Sequence, residues 1–244
     1  MMNKALEYRK EHLALMKEWE QEGRKWIGSF KDKESRASFY ADGVIDPEVW
    51  FEKGNIIRPL FVLKEVHENP PNNSNEHFNF VSTEKDSEED DIWKGKLPTW
   101  RRVGVLAKGI FSVIENNGEV PEYDTSYRMV DDDYHAVLKR IAVINLKKFA
   151  GGKSGQDNYS KLTLYFWKHA VFAEAENRQY LSKQMQLISP NIIICCGKGV
   201  IEHIKPIADK LGIGMVLEVN HPSRISKKKF YYDALEKIKT EFQK

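Results

Sequence analysis

The chain has 244 residues, 41% of them hydrophobic and 30% charged, with 38 basic against 36 acidic side chains and a net charge of +2. At roughly 100–200 residues per domain, that length predicts a single domain with decorated loops. No stretch approaches ~18 uninterrupted apolar residues, which excludes a membrane-spanning helix, and 12 Phe, 10 Tyr and 6 Trp argue against wholesale disorder.

Residues 2–27 read as a helix, with Leu6, Leu13, Met16, Trp19 and Trp26 at roughly helical spacing. The segment is too charged to hold a signal-peptide core. Residues 40–58 are turn-rich, broken at Asp42-Gly43, Asp46-Pro47 and Gly54-Asn55. The run Pro59 to Val66 reads as a buried strand and empties into a long polar stretch, residues 67–98, with an acidic run at 84–91. A helix from Thr99 to Glu115 carries Val103, Leu106, Ile110 and Ile114 on one face. A short helix, Asp132 to Arg140, leads into a second strand, Ile141 to Ile144, closed by Asn145. After a Gly-rich loop at 151–158 comes a helical region from Tyr159 to Leu187. A third strand, Asn191 to Cys196, stops at Gly197, and a helix follows from Lys198 to Leu211. The fourth strand, Met215 to Val219, ends in Asn220-His221-Pro222-Ser223 before a last helix, Lys227 to Phe242.

Short continuous apolar strands alternating with helices predict an α/β fold: a single domain with a central, mostly parallel four-stranded sheet flanked by helices. Residues 1–56 are expected to be a helical segment packed on the core, and residues 57–244 the α/β domain proper. The only cysteines, Cys195 and Cys196, are adjacent. Neighbours in sequence rarely bridge, so the reading is a reduced, cytoplasmic protein, and two cysteines are too few for a Cys-ligated zinc or an iron–sulfur cluster. His12, His77, His135, His169 and His203 show no metal-ligand spacing. Gly151-Gly152-Lys153-Ser154 follows a strand, but a phosphate-binding loop needs a Gly five residues before its second Gly, and Lys147 stands there.

In open α/β sheets, ligands bind outside the carboxyl ends of the strands. The first strand delivers Lys64, Glu65 and His67 there, and the second Asn145, then Lys147 and Lys148. The third delivers Gly197. The fourth delivers Asn220, His221 and Ser223, followed by Arg224, Lys227, Lys228 and Lys229. A carboxylate, a carboxamide and an imidazole at three strand ends can hold water, read a donor–acceptor edge and stabilise negative charge.

The order of these strand ends, VLKEVH (62–67), AVINLKK (142–148), IIICCG (192–197) and HPSRIS (221–226), resembles the uracil-DNA glycosylase superfamily. The resemblance covers roughly residues 57–242 and is strongest at the HPS element and at Asn145. It implies the family's α/β fold with an extra N-terminal helix, and a DNA-binding, base-flipping protein that hydrolyses the N-glycosidic bond of uracil or another modified base in DNA repair. Glu65 and His221 would be catalytic, Glu65 holding water and His221 bonding the base as it becomes anionic. Asn145 would read the base edge, Phe78 or Phe80 would stack on it, and His67 would stand where the family has a Tyr. Ser223 would contact backbone phosphate, as would Arg224, Lys227 and Lys228 beside it, and Ile225 would enter the gap left by the flipped base. The partner would be single- or double-stranded DNA, with no cofactor, no metal and no membrane. Where the family has Gly-Gln-Asp-Pro-Tyr, this chain has Leu63-Lys64-Glu65-Val66-His67, and Arg224 replaces a Pro. Two further readings stay open: a catalytically inactive binding module on the same fold, for nucleic acid or protein, and an unrelated α/β enzyme acting on a nucleotide.

Overall fold

The computed structural model describes residues 3–28, 39, 41–65, 98–123, 131–148, 175–222 and 226–243. Among these, the elements in chain order are α1 (Lys4–Gly28), β1 (Gly43–Val44), α2 (Pro47–Trp50), β2 (Pro59–Glu65), α3 (Pro98–Glu115), α4 (Asp131–Lys139), β3 (Ala142–Lys147), α5 (Ala175–Ile188), β4 (Ile192–Cys196), α6 (Val200–Lys210), β5 (Met215–Val219) and α7 (Lys227–Phe242). The part of the expected 159–187 helix before residue 175 lies outside the described residues, as do the Gly-rich 151–158 loop and the acidic run.

The strands form one sheet in the order β1-β3-β2-β4-β5. β3, β2, β4 and β5 are parallel, as their unbroken apolar runs predict. The sheet is nevertheless five-stranded and mixed rather than four-stranded, because β1 joins the outer edge of β3 antiparallel, Gly43 opposite Val143 and Val44 opposite Ala142. Asp42-Gly43 has the composition of a turn, and a two-residue strand is too short to show alternation. The N-terminal segment thus supplies a strand to the sheet as well as a helix against it.

Alternation along each strand sends side chains to two cores. Leu60, Val62, Ile144, Ile193 and Cys195 pack with residues of α1, α5 and α6. Phe61, Leu63, Val143, Ile194 and Cys196 pack with residues of α3, α4 and α7. Each Leu, Ile, Val or Phe among them contributes about 1.5–3 kcal/mol on full burial.

The buried stripe of α1 differs from the expected one. Leu6 and Leu13 are 60% and 45% exposed, while Ala5, Tyr8, His12, Leu15, Met16 and Trp19 are buried. Steps of three and four keep a residue on one helix face, and the buried set follows them. Gly43 lets this helix press on β1: a Cβ there would lie 2.5 Å from Tyr8 Oη and 2.8 Å from His12 Nε2. No described helix is long and apolar enough to cross a membrane.

Candidate functional site

Chain order against sheet order locates a crevice. From β2 the chain passes to β3 on one side, then crosses to β4 on the other and continues outward to β5. The connections diverge above the carboxyl ends of β2 and β4, the usual ligand position in such sheets. Glu65 closes β2 on that edge, and Gly197 follows β4.

Register gives the heights. Val62 pairs with Cys195, and Cys195 with Glu218. Glu65 lies three residues beyond Val62 and His221 three beyond Glu218, both toward the carboxyl edge of the sheet. Glu65 also pairs directly with Lys147. Asn145 pairs with Leu63, two residues below that level. β3 runs on to Lys147 instead of ending at Asn145, so the carboxamide sits ~7 Å deeper in the sheet than Glu65.

His221 is half-buried over Gly197. A methyl built on Gly197 would stand 3.7 Å from His221 Cβ and 3.8 Å from its Cδ2. Gly197 has φ +123°, a conformation that favours glycine, and its N–H donates to Val219 O at 2.8 Å. Arg102 of α3 donates from Nη1 to the Pro222 carbonyl, tying the loop after β5 to the helix layer that α3 shares with α7. Beyond it, the hydroxyl of Ser226 caps α7 by accepting from Lys229 N at 3.4 Å. Lys227, Lys228 and Lys229 thus occupy the first turn of α7, which has no acidic residue. Lys229 pairs with Asp233 at 3.0 Å, and Lys228 Nζ lies 5.8 Å from the Tyr123 ring centre.

Sequence reasoning missed a second feature entirely. The buried polar and charged residues among those described are His12, Asp42, Asn145, Lys148 and Gln184, and all five meet at Asp42. Its Oδ2 accepts from the backbone N–H of Asn145 at 2.7 Å and from Asn145 Nδ2 at 3.0 Å. Its Oδ1 accepts from Lys148 Nζ, a fully buried ion pair, and from Gln184 Nε2 at 3.2 Å. Its carbonyl oxygen accepts from His12 Nε2 at 2.9 Å and Gln184 Nε2 at 2.7 Å. Because both nitrogens give protons to that one oxygen, their 3.4 Å approach makes them neighbours rather than partners.

Burial governs the titration of this cluster. It holds the His12 imidazole down at about 4, outweighing the pull of Asp42 upward. Burial also lowers the Lys148 ammonium against the opposing pull of Asp42, and raises the Tyr8 hydroxyl. Tyr8 stacks on His12 at 5.0 Å between ring centres, and its Oη accepts from Val44 N at 3.0 Å. Lys148 Nζ lies 5.1 Å from the Trp19 ring centre. The cysteines are inert by the same physics: burial pushes the Cys195 thiol up to about 12 and raises Cys196 as well.

The structure therefore places Glu65 and His221 at the carboxyl edge of the sheet, Glu65 closing β2 and His221 following β5, while Asn145 lies within β3 with one of its amide protons held by Asp42. Lys227 and Lys228 stand at the start of the helix that follows. His67, Phe78, Phe80, Ser223, Arg224 and Ile225 lie outside the described residues. A cleft of about 350 Å³ between the end of β5 and α7 is lined by Val219, Asn220, Phe230, Asp233 and Lys237 among others, and Glu65, Asn145, His221, Lys227 and Lys228 do not line it. Among the described residues, no group of His, Cys, Asp or Glu is arranged to hold a metal ion. No family model, curated protein or solved structure matches the chain.

Proposed function

We propose that the protein binds DNA, draws a base out of the stack into the crevice above β2 and β4, and hydrolyses its N-glycosidic bond, as a divergent relative of the uracil-DNA glycosylase superfamily. One observation carries the reading: the strands that bear Glu65 and Asn145 and the strand that precedes His221 run parallel in one sheet and end at the edge where its connections diverge. Glu65 would hold the water that adds to the sugar carbon and take the proton that water gives up. The bond to the base breaks with its electron pair on the base, and His221 would stabilise that anion. Asn145 would read the base edge from its recessed position. Lys227 and Lys228 would meet phosphate at a helix start whose dipole also favours anions. From the sequence, Ser223, Arg224 and Ile225 would complete the DNA contact, with Phe78 and His67 lining the base pocket.

The test is release of free base from single- and double-stranded oligonucleotides carrying a panel of modified bases. Wild type should release at least one base. Glu65→Gln and His221→Ala should each slow release on the order of a hundredfold while DNA binding survives. DNA binding with no base released by wild type would replace this reading with the inactive binding module. Thermal stabilisation by free nucleotides but not by DNA would favour the small-molecule enzyme instead.

A further inference from the structure

We infer that Asp42, which lies outside the four parallel strands, is the positioning residue that sets base selectivity, by locking the Asn145 carboxamide in one orientation; this rests on the reading of Asn145 as the base-edge reader. A terminal carboxamide has two orientations related by a flip that exchanges oxygen and nitrogen, and the two read opposite hydrogen-bond patterns. Here the choice is made by neighbours. Asn145 Nδ2 and its own backbone N–H converge on a single oxygen, Asp42 Oδ2, at 3.0 and 2.7 Å. Flipping the amide would set Asn145 Oδ1 against that carboxylate oxygen, two acceptors with no proton between them, in a cluster no more than 5% exposed.

Asp42 cannot turn to relieve the conflict. Its other oxygen is held by Lys148 and Gln184, and its carbonyl by His12 and Gln184. All of these neighbours donate. Among the described residues, none donates to Asn145 Oδ1. What remains for a ligand is one acceptor, Oδ1, and the second Nδ2–H, in fixed order. An imide edge, with a ring N–H beside a carbonyl, fits that order. An aminopyrimidine edge, with a bare ring nitrogen beside an amino group, needs the flipped amide.

The experiment uses two double variants of the full chain, so that no buried charge is left alone. Asp42→Ala/Lys148→Met removes the lock. Asp42→Asn/Lys148→Gln keeps it without charge: the oxygen of Asn at position 42 can still accept both protons of Asn145, while its amide faces Gln at position 148 and gives up the 3.2 Å bond from Gln184, which still donates to the carbonyl of residue 42. kcat/KM for base release is measured on uracil- and cytosine-containing oligonucleotides. Kd is measured for the same bases on a 2′-fluorinated sugar, which slows cleavage.

The uracil-to-cytosine ratio should fall about ten- to a hundredfold in Asp42→Ala/Lys148→Met, the discrimination of one bidentate contact, and return to near wild type in Asp42→Asn/Lys148→Gln. An unchanged ratio in a folded Asp42→Ala/Lys148→Met protein overturns the assignment of Asp42 and leaves the glycosylase reading standing. An equal fall in both doubles also overturns it, since a packing role would not be rescued by the conservative pair. A wild type that neither releases nor distinguishes bases refutes the glycosylase reading, and this inference with it. The lock has its own signature. In wild type, the side-chain amide protons of Asn145, assigned by their loss in Asn145→Asp, should exchange with solvent at very different rates. Equal, fast exchange of both overturns the lock even where a double variant does not fold.

Discussion

Acidification should cost this protein measurable stability through a single histidine. His12 is 1% exposed, and burial depresses its imidazole from 6.5 to about 4. The charged form therefore binds its proton more tightly in the unfolded chain. Between those two values the unfolded state carries more protons, so stability rises with pH and is lost as pH falls through that window. At ~1.4 kcal/mol per unit, the loss attributable to His12 reaches about 2 kcal/mol at pH 5 and about 3 kcal/mol once the histidine is charged in both states. The groups facing it explain the penalty. Lys148 opposes a second positive charge, Gln184 offers a donor, Tyr8 stacks on the ring, and only Asp42 attracts. The assay is urea unfolding at pH 7.5 and pH 5, for wild type and for His12→Gln, which keeps a side-chain N–H. At an m value of ~2 kcal/mol/M, the wild-type midpoint should fall about 1 M further than that of the variant. Carboxylates and the other histidines are common to both proteins and cancel in the difference. If His12→Gln loses stability with acid as steeply as wild type, burial of His12 is not the source of the sensitivity.

Two further outcomes are expected. Replacing Lys227, Lys228 and Lys229 together by Ala should flatten the salt dependence of DNA binding by two to three phosphate contacts, about 0.9 in slope per contact for a duplex; an unchanged slope removes the start of α7 from the interface. Both cysteine thiols should resist an aromatic disulfide reagent in the folded protein at pH 8 and react promptly in denaturant, because burial raises both. Fast native labelling would contradict their placement inside β4.

The parallel strands and their flanking helices were legible because each strand is an unbroken apolar run too short for a helix. Ile192 to Cys196 and Met215 to Val219 differ from expectation by at most a residue. The recessed position of Asn145 was not legible, since an Asn after four apolar residues has the look of a strand end, and only the β2–β3 register shows the strand continuing. The Asp42 cluster was hidden by distance. Asp42 reads as half of an Asp-Gly turn, and its partners Asn145 and Lys148 stand 103 and 106 residues away. One signal did exist. His12 falls between Tyr8 and Leu15-Met16 at helical steps, so a polar residue on the apolar stripe of α1 had to find a buried acceptor.

The two margins of the sheet have a consequence for association. An open strand margin is a template for another chain, and proteins blunt such margins with brevity or charge. On one side, β1 offers only two residues. There the carboxylate of Asp42 has already taken the backbone N–H of Asn145. On the other side, Val219 O points inward to Gly197 N, so the neighbouring Glu218 carbonyl points outward. Lys237 of α7 fills it from Nζ at 2.7 Å, placing a lysine where an incoming strand would have to donate. Among the described residues, an incoming strand would find a margin two residues long on one side and one interrupted by a lysine on the other, both poor templates for strand-by-strand growth.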